Sequence, residues 1–383
     1  KKGHPRVTKD SFTAKFPKQE LILATEGGIF LHDPQHPLVK AHLWPADNGQ
    51  PMRHLTIPQL KKQIITRLQT AVRRRLNITQ RQNRYLLFGQ ADHLPGLLLL
   101  QLGRHFVFQA YAFFWPRWKN ELVTTLQELI SQEHLCPPPY NIYFELRQNP
   151  PVPRQLVQGT LPPQDVITEY GIKYHIDLTA NDFGIYTDMA ALRPQLLPFL
   201  RPQAKVLNLY AYTGAFSLFA LQQKALVTSV DLSPTSLDQL AANLKLNPQL
   251  DSTQHTAICA SVQQALPALR KQNKKFDLII VDPPSASSSG QQKSSAWQTY
   301  PRLLPDLSAL LAPAGKLVLF LNTHKIALGK FQEHLRKAIK QAALPLAQLS
   351  LKLTLQQDCR TLPNFPEGNY LKGTVWEKTT PQA

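Results

Sequence analysis

The chain is poor in cysteine, with only Cys136, Cys259 and Cys359 among 383 residues. Three thiols so far apart form neither a disulfide framework nor a zinc knuckle. No metal site is expected, and a reducing, cytoplasmic setting is the default. Long apolar runs are also missing. Runs such as Leu97–Leu100 and Leu278–Val281 fall far short of the roughly 18 residues that cross a bilayer. They suit buried strands, and no membrane partner is expected. The chain opens Lys1-Lys2-Gly3 without an initiator Met or a signal-peptide apolar segment. A residue or two is expected to precede it in the natural protein. With 43% hydrophobic and 18% charged residues, the composition excludes a disordered chain and a coiled coil. The 32 prolines have no Gly-X-Y period, which excludes collagen. At roughly 150 residues per domain, the length suggests two or three domains.

Acidic residues are scarce in one region. The whole chain carries a net charge of +18. Residues 1–91 hold 16 Lys/Arg against 5 Asp/Glu, so well over half the excess lies in the first quarter. No acid occurs between Asp47 and Asp92, a stretch that contains Arg53, Lys61, Lys62, Arg67, Arg73, Arg74, Arg75, Arg81 and Arg84. In the same stretch Leu60, Ile64, Ile65, Leu68, Val72 and Leu76 recur at spacings near four, which predicts an amphipathic helix at about 58–77. Its apolar stripe can dock on the protein while the other faces neutralise phosphates. RNA and DNA fit equally at this point. A solvated cationic face and a membrane-surface helix are the alternatives.

The pattern then sorts the chain into regions. Short apolar runs at Leu21–Ala24, Gly28–Leu31 and Val39–Trp44, separated by turn residues, predict a small β domain. Residues 84–110 read as two or three strands, Trp118–Ser131 as a helix and Tyr140–Leu146 as a strand. The proline-rich stretch Asn149–Pro163 reads as a linker or exposed loop. From about residue 166 the pattern becomes β/α alternation. Val206–Leu209, Val227–Val230, Phe276–Val281 and Lys316–Leu321 have the composition of buried parallel strands.

Ligands of an open parallel sheet bind beyond the carboxyl ends of its strands, and three such ends stand out. Asn208-Leu209-Tyr210-Ala211-Tyr212-Thr213-Gly214-Ala215-Phe216 is a strand, a tight turn and a helix start. Gly214 there would let the backbone approach a ligand. Asp231, about 20 residues after the turn, can accept from both hydroxyls of a ribose. A helix N-cap is its plainer role, one that Ser233 could also fill. In Asp282-Pro283-Pro284 the prolines remove two donors, leaving carbonyls and the Asp282 carboxylate as acceptors for the amine of a flat base. The three-glycine dinucleotide fingerprint is missing, which argues against a nicotinamide-dependent oxidoreductase.

Taken together, Asn208–Phe216, Asp231 and Asp282-Pro283-Pro284 resemble class I S-adenosylmethionine-dependent methyltransferases. The whole chain is similar to the bacterial large-subunit rRNA cytosine-5 methyltransferases with an N-terminal PUA domain. Collinear patches carry this resemblance: Lys2-Gly3-His4-Pro5, Gly89–Gly96, Gly184-Ile185-Tyr186-Thr187-Asp188 followed by Arg193, and Phe365–Gly373. It implies an α/β fold: a Rossmann-like methyltransferase sheet over residues 166–383, a PUA-like RNA-binding β domain over 1–57, a basic linker helix over 58–83, and a central α/β domain over 84–165. It implies S-adenosyl-L-methionine as cofactor and RNA, rRNA in particular, as partner. A homodimer is compatible with it.

By the same resemblance, Asn208, Tyr210, Tyr212, Thr213, Gly214, Phe216, Asp231, Asp188 and Ser261 would bind the cofactor. Asp282, Pro283 and Asn322 would face the base. Lys2, Arg6, Lys61, Lys62, Arg73, Arg74 and Arg75 would contact RNA. His324 and Lys325 would assist electrostatically or touch phosphate. The chain departs from the family at several positions. Cytosine C5 is activated by adding a Cys thiolate to C6, and Asn322 stands where the family has that Cys. Met189-Ala190 replaces Gln-Arg, no acid follows the third strand near Ala260-Ser261, and Ala286 replaces an aromatic. A base nitrogen is therefore the expected target rather than cytosine C5. The alternative is an RNA-binding protein of the same fold that has lost catalysis.

Overall fold

The computed structural model describes residues 5–8, 20–26, 28–46, 53–284, 287–289, 292–294, 296–351, 353, 358–363, 365 and 368–379. Lys2 and its neighbours Gly3 and His4, Ala286, and Pro366-Glu367 of the C-terminal motif lie outside the described residues. The chain divides into two units. One comprises residues 1–171, 176–183 and 357–368, and the other 172–175, 184–356 and 369–383.

In the first unit, Arg6–Thr8 (β1), Ile22–Thr25 (β2), Gly28–His32 (β3) and Val39–Trp44 (β4) form an antiparallel sheet of order β1-β4-β3-β2. Helix α1 follows at Ile57–Arg73. It starts with a capping box: the Gln59 amide donates to the Thr56 hydroxyl at 3.4 Å, and the Gln59 side chain accepts from the Thr56 amide at 2.9 Å. Leu60, Ile64, Leu68 and Val72 are wholly buried, each stabilising the fold by about 1.5–3 kcal/mol relative to exposure. The helix stops at Arg73, short of the expected 77, and Leu76 lies beyond it, half-buried.

A five-stranded sheet follows, built from Asn83–Phe88 (β5), Leu97–Leu102 (β6), His105–Ala110 (β7), Asn141–Leu146 (β8) and Gln155–Gln158 (β9). Strands β7 and β8 are parallel, with helix α2, Lys119–Gln132, between them in the chain. One core joins both sheets to α1 and α2. The stretch 149–163 is thus not simply a loop, because β9 within it pairs with β8. Its alternation is too short to stand out among prolines. Strands Gln164–Glu169 (β10) and Ile172–Asp177 (β11) lead to the second unit.

The second unit contains Lys205–Leu209 (β12), Ala215–Gln222 (α3), Leu226–Asp231 (β13), Pro234–Lys245 (α4), His255–Cys259 (β14), Val262–Lys271 (α5) and Phe276–Val281 (β15). The short strands Ser287–Ser289 (β16) and Gln292–Ser294 (β17) pair with each other. Then come Ala296–Leu310 (α6), Leu311–Asn322 (β18), Leu328–Gln341 (α7), Leu346–Gln348 (β19) and Leu371–Lys378 (β20). The sheet order is β14-β13-β12-β15-β18-β20-β19. Strands β12 to β15 and β18 are parallel to their neighbours, while β20 runs antiparallel to β18 and β19. The strand order reverses between β12 and β15, the switch point at which such sheets open a crevice.

Candidate active site

The turn after β12 is built from uncommon backbone. Tyr210, Tyr212 and Gly214 have φ of 60°, 50° and 87°. Left-handed non-glycine residues cluster at functional sites because the surrounding structure must hold them. Here the Tyr212 amide donates to Asp231 at 2.8 Å, and the Thr213 hydroxyl donates to the Gly184 carbonyl at 2.8 Å. Gly214 is constrained by packing. A Cβ on it would lie 2.5 Å from Leu240 Cγ, so it serves the turn and the packing of α4 and does not line the cavity. Asn208 is corrected. It is buried and donates to Ser217, which continues through Ser229 to His255 in a polar chain inside the fold.

Asp231 ends β13 with one carboxylate oxygen on the Tyr212 amide and the other on the Ser233 amide, the latter at 2.9 Å. Each oxygen keeps a further acceptor position, an arrangement suited to two vicinal hydroxyls. The helix cap falls to Ser233, whose hydroxyl accepts from the Ser236 amide. Ser261 caps α5 in a capping box with Gln264 and also borders the cavity.

The Asp282 carboxyl is pushed up from 3.8 to about 7, mainly by burial, with the Asp188 carboxylate adding and the Arg193 guanidinium opposing. Arg193 is itself buried against the Phe216 ring at 5.5 Å, and Phe216 stacks on Phe320 at 5.7 Å. Asp188 accepts from the Tyr370 hydroxyl at 2.6 Å. Asn322, at the end of β18, opens onto the same space.

These elements enclose a cavity of about 640 Å³, within the usual range for small-molecule sites. Of the expected residues, Tyr210, Tyr212, Thr213, Phe216, Asp231, Asp188, Ser261, Asp282, Pro283 and Asn322 line it. The sequence reading missed Arg193 as a charge beside Asp282, and it missed Tyr186, Leu232, Gln263 and Thr299 in the lining. A buried arginine among apolar neighbours has no periodic signal.

The expected cationic face is largely committed to the protein itself. Arg75 is buried with its guanidinium on Asp92 at 2.6 Å and on the Asp358 carbonyl at 3.0 Å. Arg74 meets Asp92 at 3.0 Å, Arg73 meets Glu133 at 2.6 Å, and Lys61 meets Glu121 at 3.0 Å. Arg6 stacks over Phe365 at 4.5 Å. Arg75 is therefore corrected from an RNA contact to a buried clasp, because the acid that neutralises it, Asp92, lies 17 residues away and the Asp358 carbonyl 283. Lys62 is exposed on α1.

The profile of S-adenosylmethionine-dependent methyltransferases matches residues 144–344. The chain belongs to that family. Ribosomal RNA large subunit methyltransferase I from Yersinia pestis and from Yersinia pseudotuberculosis is 31% identical over 321 residues, 81% of this chain and 78% of the relative. A crystal structure of a methyltransferase complexed with SAH superposes with a TM-score of 0.83 at 21% identity, covering 98% of this chain and 96% of that one. A SAM-dependent methyltransferase from Streptococcus mutans gives 0.81 at the same identity and coverage. The α/β fold with a Rossmann-like sheet is thereby established, and the methyltransferase takes S-adenosylmethionine as its methyl donor.

Cavity size and donor set fit that donor. The Asp231 carboxylate suits a ribose, and the exposed Leu232 beside it offers an apolar face to a purine ring. Among the described residues no cysteine lines the cavity. Cys259, at the end of β14, donates to the Leu232 carbonyl, and Cys136 and Cys359 belong to the other unit.

Proposed function

We propose that the protein methylates rRNA at a base nitrogen. The observation that carries this reading is that Asp282 and Asn322 both line the cavity, whereas no cysteine among the described residues does. The relatives named as large-subunit rRNA methyltransferases support the rRNA substrate, and Lys62 and the basic first quarter suit it electrostatically. We assign residues 1–57 to a PUA-like domain, 58–83 to a basic linker, 84–165 to a central domain and 166–383 to the catalytic domain, apart from residues 166–171, 176–183 and 357–368, which fall in the first unit.

In this reading Asp231 binds the ribose of the cofactor, and the turn Tyr210–Thr213, with Phe216, Asp188 and Ser261, frames the rest of it. When bound, the cofactor supplies an electrophilic methyl group. Asp282 and the Pro283 carbonyl accept from an N–H of the base, orienting a nitrogen lone pair, and Asn322 adds a hydrogen bond. If the target nitrogen carries a proton, Asp282 receives it as the N–CH3 bond forms. A carboxyl at about 7 is matched to that transfer near neutral pH. Positioning supplies most of the remaining rate.

Two substitutions test the assignment. Asp231→Ala should weaken S-adenosylmethionine binding in calorimetry by about 10-fold or more, the loss of a charge-assisted hydrogen bond; unchanged affinity would show the ribose site to be elsewhere. Asp282→Asn should retain cofactor affinity and lower kcat by about 10²–10⁴. Full activity in that variant would remove Asp282 from the reaction.

A further inference from the structure

The paired ladder between β15 and β18 ends at Val281↔Leu319. Asp282 lies one residue beyond that pair and Asn322 three. Pro283 and Pro284 have no N–H with which to extend the ladder. Asn322 is paired with Leu371 of β20, and the Asp282 amide lies 3.5 Å from the Leu209 carbonyl of β12, but beyond Val281 the β15–β18 ladder does not tie the two side chains that face the base to each other.

The hydroxyl of Tyr300, from α6, occupies this position. It donates to the Phe320 carbonyl and lies 3.3 Å from the Val281 carbonyl. One phenol thus bridges the exits of both strands. Tyr300 is wholly buried, and its ionisation is pushed well above the usual tyrosine range by burial and by Asp282. It remains a donor and is no candidate base.

A second buried group works from the β20 side. Lys372 donates from its ammonium to the Thr323 carbonyl, and the Thr323 amide donates to the Tyr370 carbonyl at 2.7 Å. Lys372 forms no ion pair with a carboxylate among the described residues, and burial lowers it from 10.5 to about 8. A buried ammonium is retained against its desolvation when it has a bond to make, and here that bond holds the residue next to Asn322.

We propose that Tyr300 is a positioning residue of the methyl transfer, a strut that replaces the missing ladder bonds and sets Asp282 and Asn322 at the spacing of one base, with Lys372 fixing Asn322 from the opposite side. This rests on the reading that those two residues face the base. Small misplacements of reacting groups cost about 100-fold in rate, whereas the ribose site at Asp231 lies on other strands.

The test uses the full chain, S-adenosylmethionine, and protein-free large-subunit rRNA from cells lacking the gene. Tyr300→Phe keeps the ring and removes the strut. Single-turnover transfer should fall by about 10- to 100-fold, with cofactor affinity and KM for rRNA unchanged. Lys372→Met should show the same split, and the double variant should lose less than the product of the two, since both hold one segment. An unchanged transfer rate in either variant would overturn the proposal, as would a rate loss matched by an equal loss of cofactor affinity. Should Tyr300→Phe not fold, the Lys372→Met split decides. If the native enzyme itself transfers no methyl to this rRNA, the rRNA reading fails and not the strut.

Discussion

At the scale of single residues, Asp282 has the most consequence. Its carboxyl is held at about 7 by burial and by Asp188, so it is mostly protonated at pH 6 and mostly ionised at pH 8. The transfer rate at saturating substrates should therefore rise through about pH 7, and a rate independent of pH from 6 to 8 would exclude Asp282 as the proton acceptor. The sign for stability is opposite. The folded group binds its proton more tightly than the unfolded one, so its ionisation destabilises the fold as pH rises from about 4 to about 7. Asp282→Asn should consequently melt higher than the native protein at pH 8, by at most about 4 kcal/mol in stability, with little difference at pH 4. Gly214 can be tested in the same way. Alanine there meets Leu240 and a left-handed backbone, a destabilisation of about 2–4 kcal/mol readable by urea unfolding. Adding Leu240→Ala should relieve the contact part of that loss. No relief would show that the turn alone demands glycine.

At the scale of elements, helix α1 shows how far sequence reasoning reached. Its apolar stripe was legible because Leu60, Ile64, Leu68 and Val72 follow the helical period and bury one face. Its charges were misread because local sequence does not reveal partners 17 to 283 residues away, such as Asp92 and Asp358 for Arg75. Removing one member of a buried pair leaves the other uncompensated. Arg75→Ala should cost about 3–5 kcal/mol in stability and leave the salt dependence of RNA binding unchanged. Lys62→Gln should leave stability unchanged and reduce the salt slope by about 1. The opposite pattern would return Arg75 to the RNA surface. The strands of the second unit were legible as apolar runs, and three of their ends delivered Asp231, Asp282 and Asn322 to one cavity. Tyr300 and Lys372 were not, because a hydrogen bond from a helix or an edge strand to another strand's carbonyl has no signature in sequence.

At the scale of the whole molecule, the chain combines a sheet that holds a methyl donor with a first quarter that carries 16 Lys/Arg against 5 Asp/Glu. Intramolecular pairs use part of that positive charge, and the remainder suits a polyanionic substrate. The collinear motifs made the family legible from sequence. The target atom depends on a few positions in the cavity, above all Asn322 in place of a thiol. The central claim is that the methyl group goes to a base nitrogen of rRNA. The most direct measurement is nucleoside-resolved mass spectrometry of large-subunit rRNA from cells with and without the gene, with the methyl position assigned by fragmentation. One N-methylated nucleoside should disappear with the gene and return when the native gene is restored, but not with Asp282→Asn. Loss of 5-methylcytidine instead, or no lost methyl group at all, would contradict the claim.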